Sequence, residues 1–176
     1  MDVSEGMVEK YNITAREQGI SESKMHAVQG DLMAPEVDPS LAGEDLFNFD
    51  LVVICMALHH LENPQEAVKR LVNRLKVGGV LVIIDWATGS EKYRRQQETK
   101  KGNNDGGAHH DHRSGRYPAA HTVAHDSFAR EQIEGALKDA GCSETDFVLA
   151  SKPSVVPMAT GGQMQLFFAR GKKGAS

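Results

Sequence analysis

Residues 49–61 read FDLVVICMALHHL, an apolar run that passes into a loop with two histidines. The run over residues 51–55 is too short for an ordinary helix and is rich in β-branched residues. This pattern predicts a strand buried on both faces of a sheet. A helix follows, which makes a strand–loop–helix unit of a doubly wound α/β fold. Ligands of such sheets bind beyond the carboxyl ends of the strands, so we expect the functional residues at positions 56–61.

The helix after this loop has clear end signals. Asn63 is placed to cap it, Pro64 suits the first helical position, and Glu66 is placed to reach back to the cap. We expect Gly78 and Gly79 to end the helix and lead into a second apolar strand over residues 80–86. A helix between two buried strands predicts a right-handed crossover and a parallel pair. The apolar positions of the helix share one face: Ala67, Val68, Leu71, Val72 and Leu75.

The rest of the chain is organised around these elements, and we expect one domain over residues 1–176. A first helix begins after Ser4 and ends near Gly19, and a short strand follows at residues 25–28. Residues 89–125 form a polar, His-rich insertion or lid. A late helix, capped by Asp126 or Ser127, precedes two strands over residues 146–150 and 164–169. These last strands are predicted to pair as an antiparallel hairpin.

Composition excludes several classes of function. The 176 residues carry a net charge of −4, which argues against binding to a nucleic-acid backbone. No apolar run approaches the roughly 20 residues of a membrane span. Cys55 and Cys142 are too far apart for a CxxC pair, and Cys55 is expected to be a small buried hydrophobe. These features favour a reducing, cytoplasmic location.

Four pieces of the sequence resemble the class I S-adenosylmethionine-dependent methyltransferases, in the group that methylates small molecules. The segment DVSEGM at residues 2–7 is similar to the end of the family's second strand, and Gly30-Asp31-Leu32 is similar to the end of its third. Residues 49–61 resemble the fourth strand with its active-site loop. The segment LKVGGVLVI at residues 75–83 resembles the turn into the fifth strand, with Val77 where the family usually has proline. We therefore expect a Rossmann-like, mostly parallel sheet with a C-terminal antiparallel hairpin.

The resemblance implies S-adenosylmethionine as cofactor and assigns residues to it. Asp2 would accept hydrogen bonds from the ribose hydroxyls. Asp31 would face the adenine amino group and Leu32 would pack on the ring. Cys55 and Met56, at the end of the fourth strand, complete the cofactor set. The alternative for Asp2 and Asp31 is that they are surface acids that cap a helix or a turn.

The chain departs from the family at its start. The family's first strand, its glycine-rich loop of the Gly-x-Gly-x-Gly type, its first helix and most of its second strand have no counterpart in this sequence. The fold is therefore expected to be N-terminally truncated and its activity impaired. In the family's sheet the missing strands lie between the third and fourth. The strand over residues 51–55 would then be an apolar edge. We expect it to pair with residues 25–28, to be covered by another chain through self-association, or to leave the preceding segment poorly packed.

Histidines supply the candidate catalytic groups, because imidazole titrates near neutral pH. His59 and His125 are the candidates for the group beside the transferred methyl. His60, Trp86 and His121 are candidates for contacts with a small-molecule substrate. The alternatives are a turn cap and sheet packing for the histidine pair, a surface helix-entry loop for His121 and His125, and simple core for Trp86.

Three functions remain open at the level of sequence. The first is methyl transfer to a small molecule. The second is an inactive, methyltransferase-like module that binds a partner through its apolar edge. The third is a metal site built on His109, His110 and His112, since imidazole suits zinc, iron or nickel. No spacing matches a known metal-binding helix motif, so we expect a substrate lid rather than a native metal.

Overall fold

The computed structural model describes residues 1–36, 38–88, 123–155 and 163–175. The chain divides into two compact units, Met1–Asn48 and Phe49–Ser176. A single domain over residues 1–176 with an insertion at 89–125 remains a prediction. Residues 89–122 of that insertion lie outside the described residues.

The first unit contains one α-helix, α1 (Glu5–Glu17), which begins where the sequence predicts. The Ser4 hydroxyl accepts a hydrogen bond from the backbone N–H of Met7 at 3.3 Å and caps the helix. The strand predicted at residues 25–28 does not form. Only an isolated parallel bridge between Asp2 and Gln29 is present there. A single bridge cannot extend into a strand without a longer neighbouring segment to continue the ladder.

The second unit is built on one sheet. Its elements in chain order are β1 (Phe49–Cys55), α2 (Pro64–Asn73), β2 (Leu75–Ala87), α3 (Arg130–Asp139), β3 (Cys142–Leu149), β4 (Ser154–Val155) and β5 (Gln163–Lys173). The strands follow the order β1-β2-β5-β3 in the sheet, and β4 pairs with β5. The helix α2 connects β1 to β2, and α3 precedes β3.

The sheet is less parallel than the sequence suggested. Among the described strands only β1 and β2 run parallel, as the crossover through α2 requires. The strand β5 lies between β2 and β3 and is antiparallel to both, so the predicted C-terminal hairpin is confirmed. The expectation of a mostly parallel sheet is corrected because β5 joins the hairpin to β2 along its length.

Three details of the helix ends differ from prediction. Asn63 caps α2 through its side-chain oxygen, which accepts from the backbone N–H of Glu66 at 3.0 Å. The Glu66 carboxylate does not return to the cap but bonds Arg70 at 2.8 Å. The helix ends at Asn73, and Gly78, with φ of 80°, lies inside β2. The cap of α3 is also shifted, to Ala129, whose N–H donates to the Gln132 side chain at 2.8 Å.

One face of the sheet carries the core. From Gly79 onward the buried positions of β2 alternate with half-buried ones, and between Phe167 and Gly171 the buried positions of β5 alternate with exposed ones. The helices α2 and α3 pack on each other and on the strands beside them. The most deeply buried apolar side chains include Val68, Val72, Leu81, Ile83, Leu137 and Phe167.

Among the described strands β1 lies at an edge of the sheet, as expected from the sequence. Among the described strands, β2 alone pairs with it. Leu51 is 56 % exposed and Val53 is 51 % exposed, so the prediction of a strand buried on both faces is wrong. The apolar sequence of β1 is compatible with burial, but a strand is buried only if a second strand or another element also covers it. Residues 25–28 form no strand in the structure.

Candidate functional site

The candidate site begins where β1 ends. Met56 follows the strand with φ of 53°, in the left-handed region that a residue with a side chain seldom adopts. Its N–H donates to the carbonyl of Ile84 at 2.9 Å, which holds the turn against β2. A short 3₁₀ turn, Leu58–His60, comes next. The backbone strain here belongs to the loop that the sequence pattern singled out, and such strain is common at functional sites.

His59 is joined to a buried carboxylate on the neighbouring strand. Its ring Nδ1 lies 2.8 Å from Oδ1 of Asp85, and its backbone N–H donates to Oδ2 of the same residue at 3.2 Å. Asp85 has no exposed surface, and the backbone N–H of Trp86 donates to its Oδ1 at 2.8 Å. The two residues therefore form a buried imidazole–carboxylate pair at the carboxyl ends of the parallel strands.

Sequence reasoning missed Asp85, although a signal was present. The residue stands in the apolar strand at the position that continues the alternation of Leu81 and Ile83. Those two side chains are fully buried, so an acid two residues further on points to the same buried face. A buried carboxylate needs partners. An acid on the buried face of a strand, near the end of that strand and close to a loop with histidines, predicts a carboxylate–imidazole pair.

The loop around His59 is also held from a second side. The carbonyl of His59 accepts hydrogen bonds from the backbone N–H groups of Ala124 and His125, each at 3.0 Å. The His59 side chain is 9 % exposed. No described residue bonds its Nε2. The ring is thus fixed at Nδ1, while Nε2 is left for another group.

Two other predicted substrate-side residues lie beside His59. The ring of His60 has its centroid 4.1 Å from that of His59 and is exposed to solvent. His125 neighbours His59 through its backbone, but its own ring contacts Phe128 at 5.5 Å between centroids. The Nε2 of His125 lies 3.4 Å from the carbonyl oxygen of Glu62.

The remaining candidates on this side have different positions. Trp86 is half-buried on β2, next to Asp85. His121 lies outside the described residues, as do His109, His110 and His112. Among the residues that the structure does describe, no group of three or more His, Cys, Asp or Glu side chains is placed to hold a metal ion.

The candidate cofactor acids lie together in the first unit. The carbonyl of Asp2 accepts from the N–H of Gly30 at 3.1 Å, which places Asp2 beside the residue that precedes Asp31. Each acid also closes a local turn: Asp2 Oδ1 accepts from Ser4 at 2.8 Å, and Asp31 Oδ1 accepts from Met33 at 2.7 Å. Both acids are exposed and Leu32 is half-buried.

This geometry agrees with both explanations of the two acids. The bonds from Ser4 and Met33 are those of turn-capping residues. Each turn uses one carboxylate oxygen and leaves the other to accept a donor from outside. Two exposed carboxylates at the ends of neighbouring chain segments fit the hydroxyl and amino donors of a nucleoside.

The two cysteines have opposite environments. Cys55, at the end of β1, is exposed, so the expectation that it is a buried hydrophobe is wrong. The cause is the open edge of β1. Cys142 is buried, and this burial raises the pKa of its thiol. Met56 is half-buried.

Comparison with known proteins bears on this site directly. Residues 1–81 match a family model described as a methyltransferase domain. An uncharacterized methyltransferase of Schizosaccharomyces pombe is 33 % identical over 95 residues, which are 53 % of this chain and 32 % of the yeast protein. The chain thus spans about a third of the curated relative that it matches.

Solved structures show the same fold at low sequence identity. A S-adenosylmethionine-dependent methyltransferase of Methanosarcina mazei is 17 % identical, with a TM-score of 0.60 over 99 % of this chain and 81 % of that one. The [4+2]-cyclase SpnF is 16 % identical, with a TM-score of 0.59 over 98 % of this chain and 64 % of that one. At such identity the likeness establishes the fold alone.

Residues 1–81 match a methyltransferase-domain family, and the fold of the chain is that of S-adenosylmethionine-dependent methyltransferases. The resemblance in its sequence is confirmed, together with the Rossmann-like α/β architecture. The matched segment, residues 1–81, contains Asp2, Asp31 and His59. In the part of the chain that the structure describes, no helix is long and apolar enough to cross a membrane.

Proposed function

We propose that this chain takes part in methyl transfer from S-adenosylmethionine to a small-molecule acceptor in the cytoplasm. The observation that carries the proposal is the imidazole of His59, held by the buried Asp85 with its Nε2 unbonded among the described residues. S-adenosylmethionine, when bound, supplies a methyl group that its sulfonium has already activated. The protein then needs to position the reactants and exclude water.

The cofactor side of the proposal rests on five residues. Asp2 accepts from the ribose hydroxyls, and Asp31 accepts from the adenine amino group while Leu32 packs on the ring. The support for these roles is that both acids are exposed and that each has one oxygen outside its local turn. In the second unit, Cys55 and Met56 supply contacts where β1 ends.

The acceptor side of the proposal centres on His59. It is the group that touches the acceptor, at Nε2, and His125 is the second candidate for this role. His60, Trp86 and His121 contribute contacts to the substrate. The support for His60 is its exposed ring, whose centroid lies 4.1 Å from that of His59.

Two further expectations concern the whole molecule. The sequence has no counterpart of the family's glycine-rich loop, so we expect weak binding of the cofactor and impaired activity. The exposed edge of β1 favours self-association through this strand. In size-exclusion chromatography with light scattering, the wild-type chain should show dimers that Val53→Lys abolishes. A monomeric wild type would contradict this expectation.

Methyl transfer is tested with radiolabelled cofactor. The chain is incubated with S-adenosylmethionine carrying a tritiated methyl group and with small phenols, amines and carboxylic acids as acceptors. We expect transfer to at least one class, loss of that transfer in His59→Gln, and full transfer in His26→Gln. His26 is a matched control because it is exposed and belongs to the other unit. Absence of transfer to every class would contradict the proposal.

Cofactor binding is tested separately by calorimetry. We expect S-adenosylmethionine to bind the wild-type chain and Asp31→Asn to weaken binding by about tenfold, the loss of one hydrogen bond to a charged group. Asp45→Asn is the matched control, since Asp45 is an exposed acid of the same unit. Equal affinity of both variants would show that Asp31 only closes its turn.

A further inference from the structure

We propose that Asp85 is a positioning residue that holds His59 in one tautomer, with the proton on Nδ1 and the lone pair on Nε2. The methyl acceptor is then a nucleophile that has a lone pair and loses a proton, such as a hydroxyl, a phenol or a primary or secondary amine. This inference rests on the proposed function and names its substrate class. It uses a residue that neither the sequence motifs nor the comparisons single out.

The hydrogen bonds around an ionised Asp85 set the direction of the contact with His59. Oδ2 accepts the backbone N–H of His59, and Oδ1 accepts the backbone N–H of Trp86. A backbone N–H can only donate, so both oxygens must act as acceptors. An ionised carboxylate accepts at both oxygens and donates at neither. The 2.8 Å contact is then a hydrogen bond donated by Nδ1 of His59.

The burial of the pair makes this arrangement hard to change. Asp85 has no exposed surface and the His59 side chain is 9 % exposed, so water does not compete strongly for Nδ1. The carboxylate is held on β2 by its neighbour Trp86, and the His59 backbone is held by two N–H groups of residues 124 and 125. Both ends of the contact are therefore fixed by the main chain, not by mobile side chains.

Stability alone does not explain an acid at this position. The residues before it on the same face, Leu81 and Ile83, are fully buried and apolar. A buried ion pair or hydrogen-bonded acid is seldom more stabilising than a well-packed apolar side chain. The gain from Asp85 is the orientation and tautomer of the ring that it holds, as for metal-binding and catalytic histidines in general.

The tautomer sets the proton balance of the reaction. His59 Nε2 takes the proton of the acceptor as the acceptor's lone pair forms a bond to the methyl carbon. The carbon–sulfur bond breaks with its electron pair moving to sulfur. General-base assistance of this kind contributes about 10²- to 10⁴-fold in rate. A thioether or a tertiary amine has no proton to lose and would gain nothing from this pair.

The tautomer is measured by long-range ¹H–¹⁵N correlation spectra of the ¹⁵N-labelled chain at pH 8, with His59 assigned from the His59→Gln spectrum. We expect the wild-type ring to carry its proton on Nδ1. We expect Asp85→Asn to give a mixture of tautomers, and Asp146→Asn, which changes an exposed acid on β3, to leave the ring unchanged. A wild-type ring protonated on Nε2 would overturn the proposal, and this result does not depend on whether any variant folds.

The kinetic test uses acceptors that differ only in acidity. With a phenol that is neutral at the assay pH, Asp85→Asn should lower kcat at least tenfold with little change in KM. With 4-nitrophenol at pH 8.5, which is largely ionised, the variant should approach the wild-type rate. An equal defect with both phenols would show a purely structural role and overturn the proposal. If the wild-type chain methylates none of the acceptors, the proposed function is wrong. The positioning role of Asp85 is still tested by the tautomer of His59 in the ¹H–¹⁵N spectra.

Discussion

Each of the two units of the chain is stabilised internally by a different kind of interaction. In the described part of Met1–Asn48 the buried apolar side chains are Ala15 and Leu41, and polar hydrogen bonds link the segments. In Phe49–Ser176 two helices and one sheet face form a continuous apolar core. Units with little buried apolar surface open at lower free-energy cost. The residues proposed to bind the nucleoside part of the cofactor lie in the first unit, which we expect to open at the lower cost. The His59–Asp85 pair lies in the second unit, which has the larger apolar core.

The largest expected effect comes from the core of the second unit. Phe167 is fully buried, stacks on Phe147 at 4.8 Å between ring centroids, and continues the core face of β5. Phe167→Ala should lower the free energy of unfolding by about 3–5 kcal/mol in urea titrations followed by circular dichroism.

The neighbouring residue offers the matched control for this substitution. Phe168 lies on the opposite face of β5 and is 40 % exposed. Phe168→Ala should cost well under half as much as Phe167→Ala. An equal decrease in the free energy of unfolding in the two variants would mean that both faces of the sheet are packed. It would contradict the assignment of the core to one face.

An intermediate effect is expected where polar bonds hold the first unit. The Asn12 side chain donates to the carbonyl of Ala27 at 3.1 Å and accepts from its N–H at 2.7 Å. Asn12→Ala removes both bonds and leaves a half-buried backbone pair without partners, which costs about 1–3 kcal/mol. Amide hydrogen exchange should quicken across residues 1–36 and stay unchanged in β2.

The control for Asn12 is Gln18→Ala, an exposed polar residue at the end of the same helix. It should leave exchange in both units as in the wild type. Faster amide exchange in β2 of the Asn12→Ala variant would mean that the two units unfold together. It would contradict the expectation that the first unit opens independently.

Local signals in the sequence predicted most of the helices and strands. Ser4 and Asn63 cap their helices because an N-cap depends on residues within one turn. The apolar runs of β1 and β2 and the pairing of β3 with β5 were also predicted. These features depend on neighbours in sequence or on the connection between consecutive elements.

The errors concern contacts between distant residues. The burial of Leu51 and Cys55 depends on which strand lies beside β1, and the sequence of β1 does not contain that information. Asp85 is 26 residues from His59, so their contact follows from the register of β1 and β2. The roles of Asp2 and Asp31 remain predictions, because an exposed acid that closes a turn has the same local sequence whether or not it binds a ligand.

The smallest expected effect is a pH dependence confined to the first unit. The Asp38 carboxylate accepts hydrogen bonds from the Ser40 side chain and from the N–H groups of Asp31 and Ser40, and these bonds lower its pKa. A lowered folded-state pKa means that Asp38 contributes stability above the unfolded-state value, about 3.9, and loses it as pH falls through the folded-state value.

The titration is observed in ¹H–¹⁵N spectra between pH 6 and pH 2. The amide signal of Ser40 should move with a midpoint below that of a free aspartate, while signals of β2 stay constant over the same range. Asp38→Asn should abolish the movement at Ser40. A midpoint at or above the ordinary value would show that these bonds do not favour the ionised carboxylate. If the amide signals of β2 moved with the same midpoint, the titration of Asp38 would affect the second unit as well. That result would contradict a pH dependence confined to the first unit.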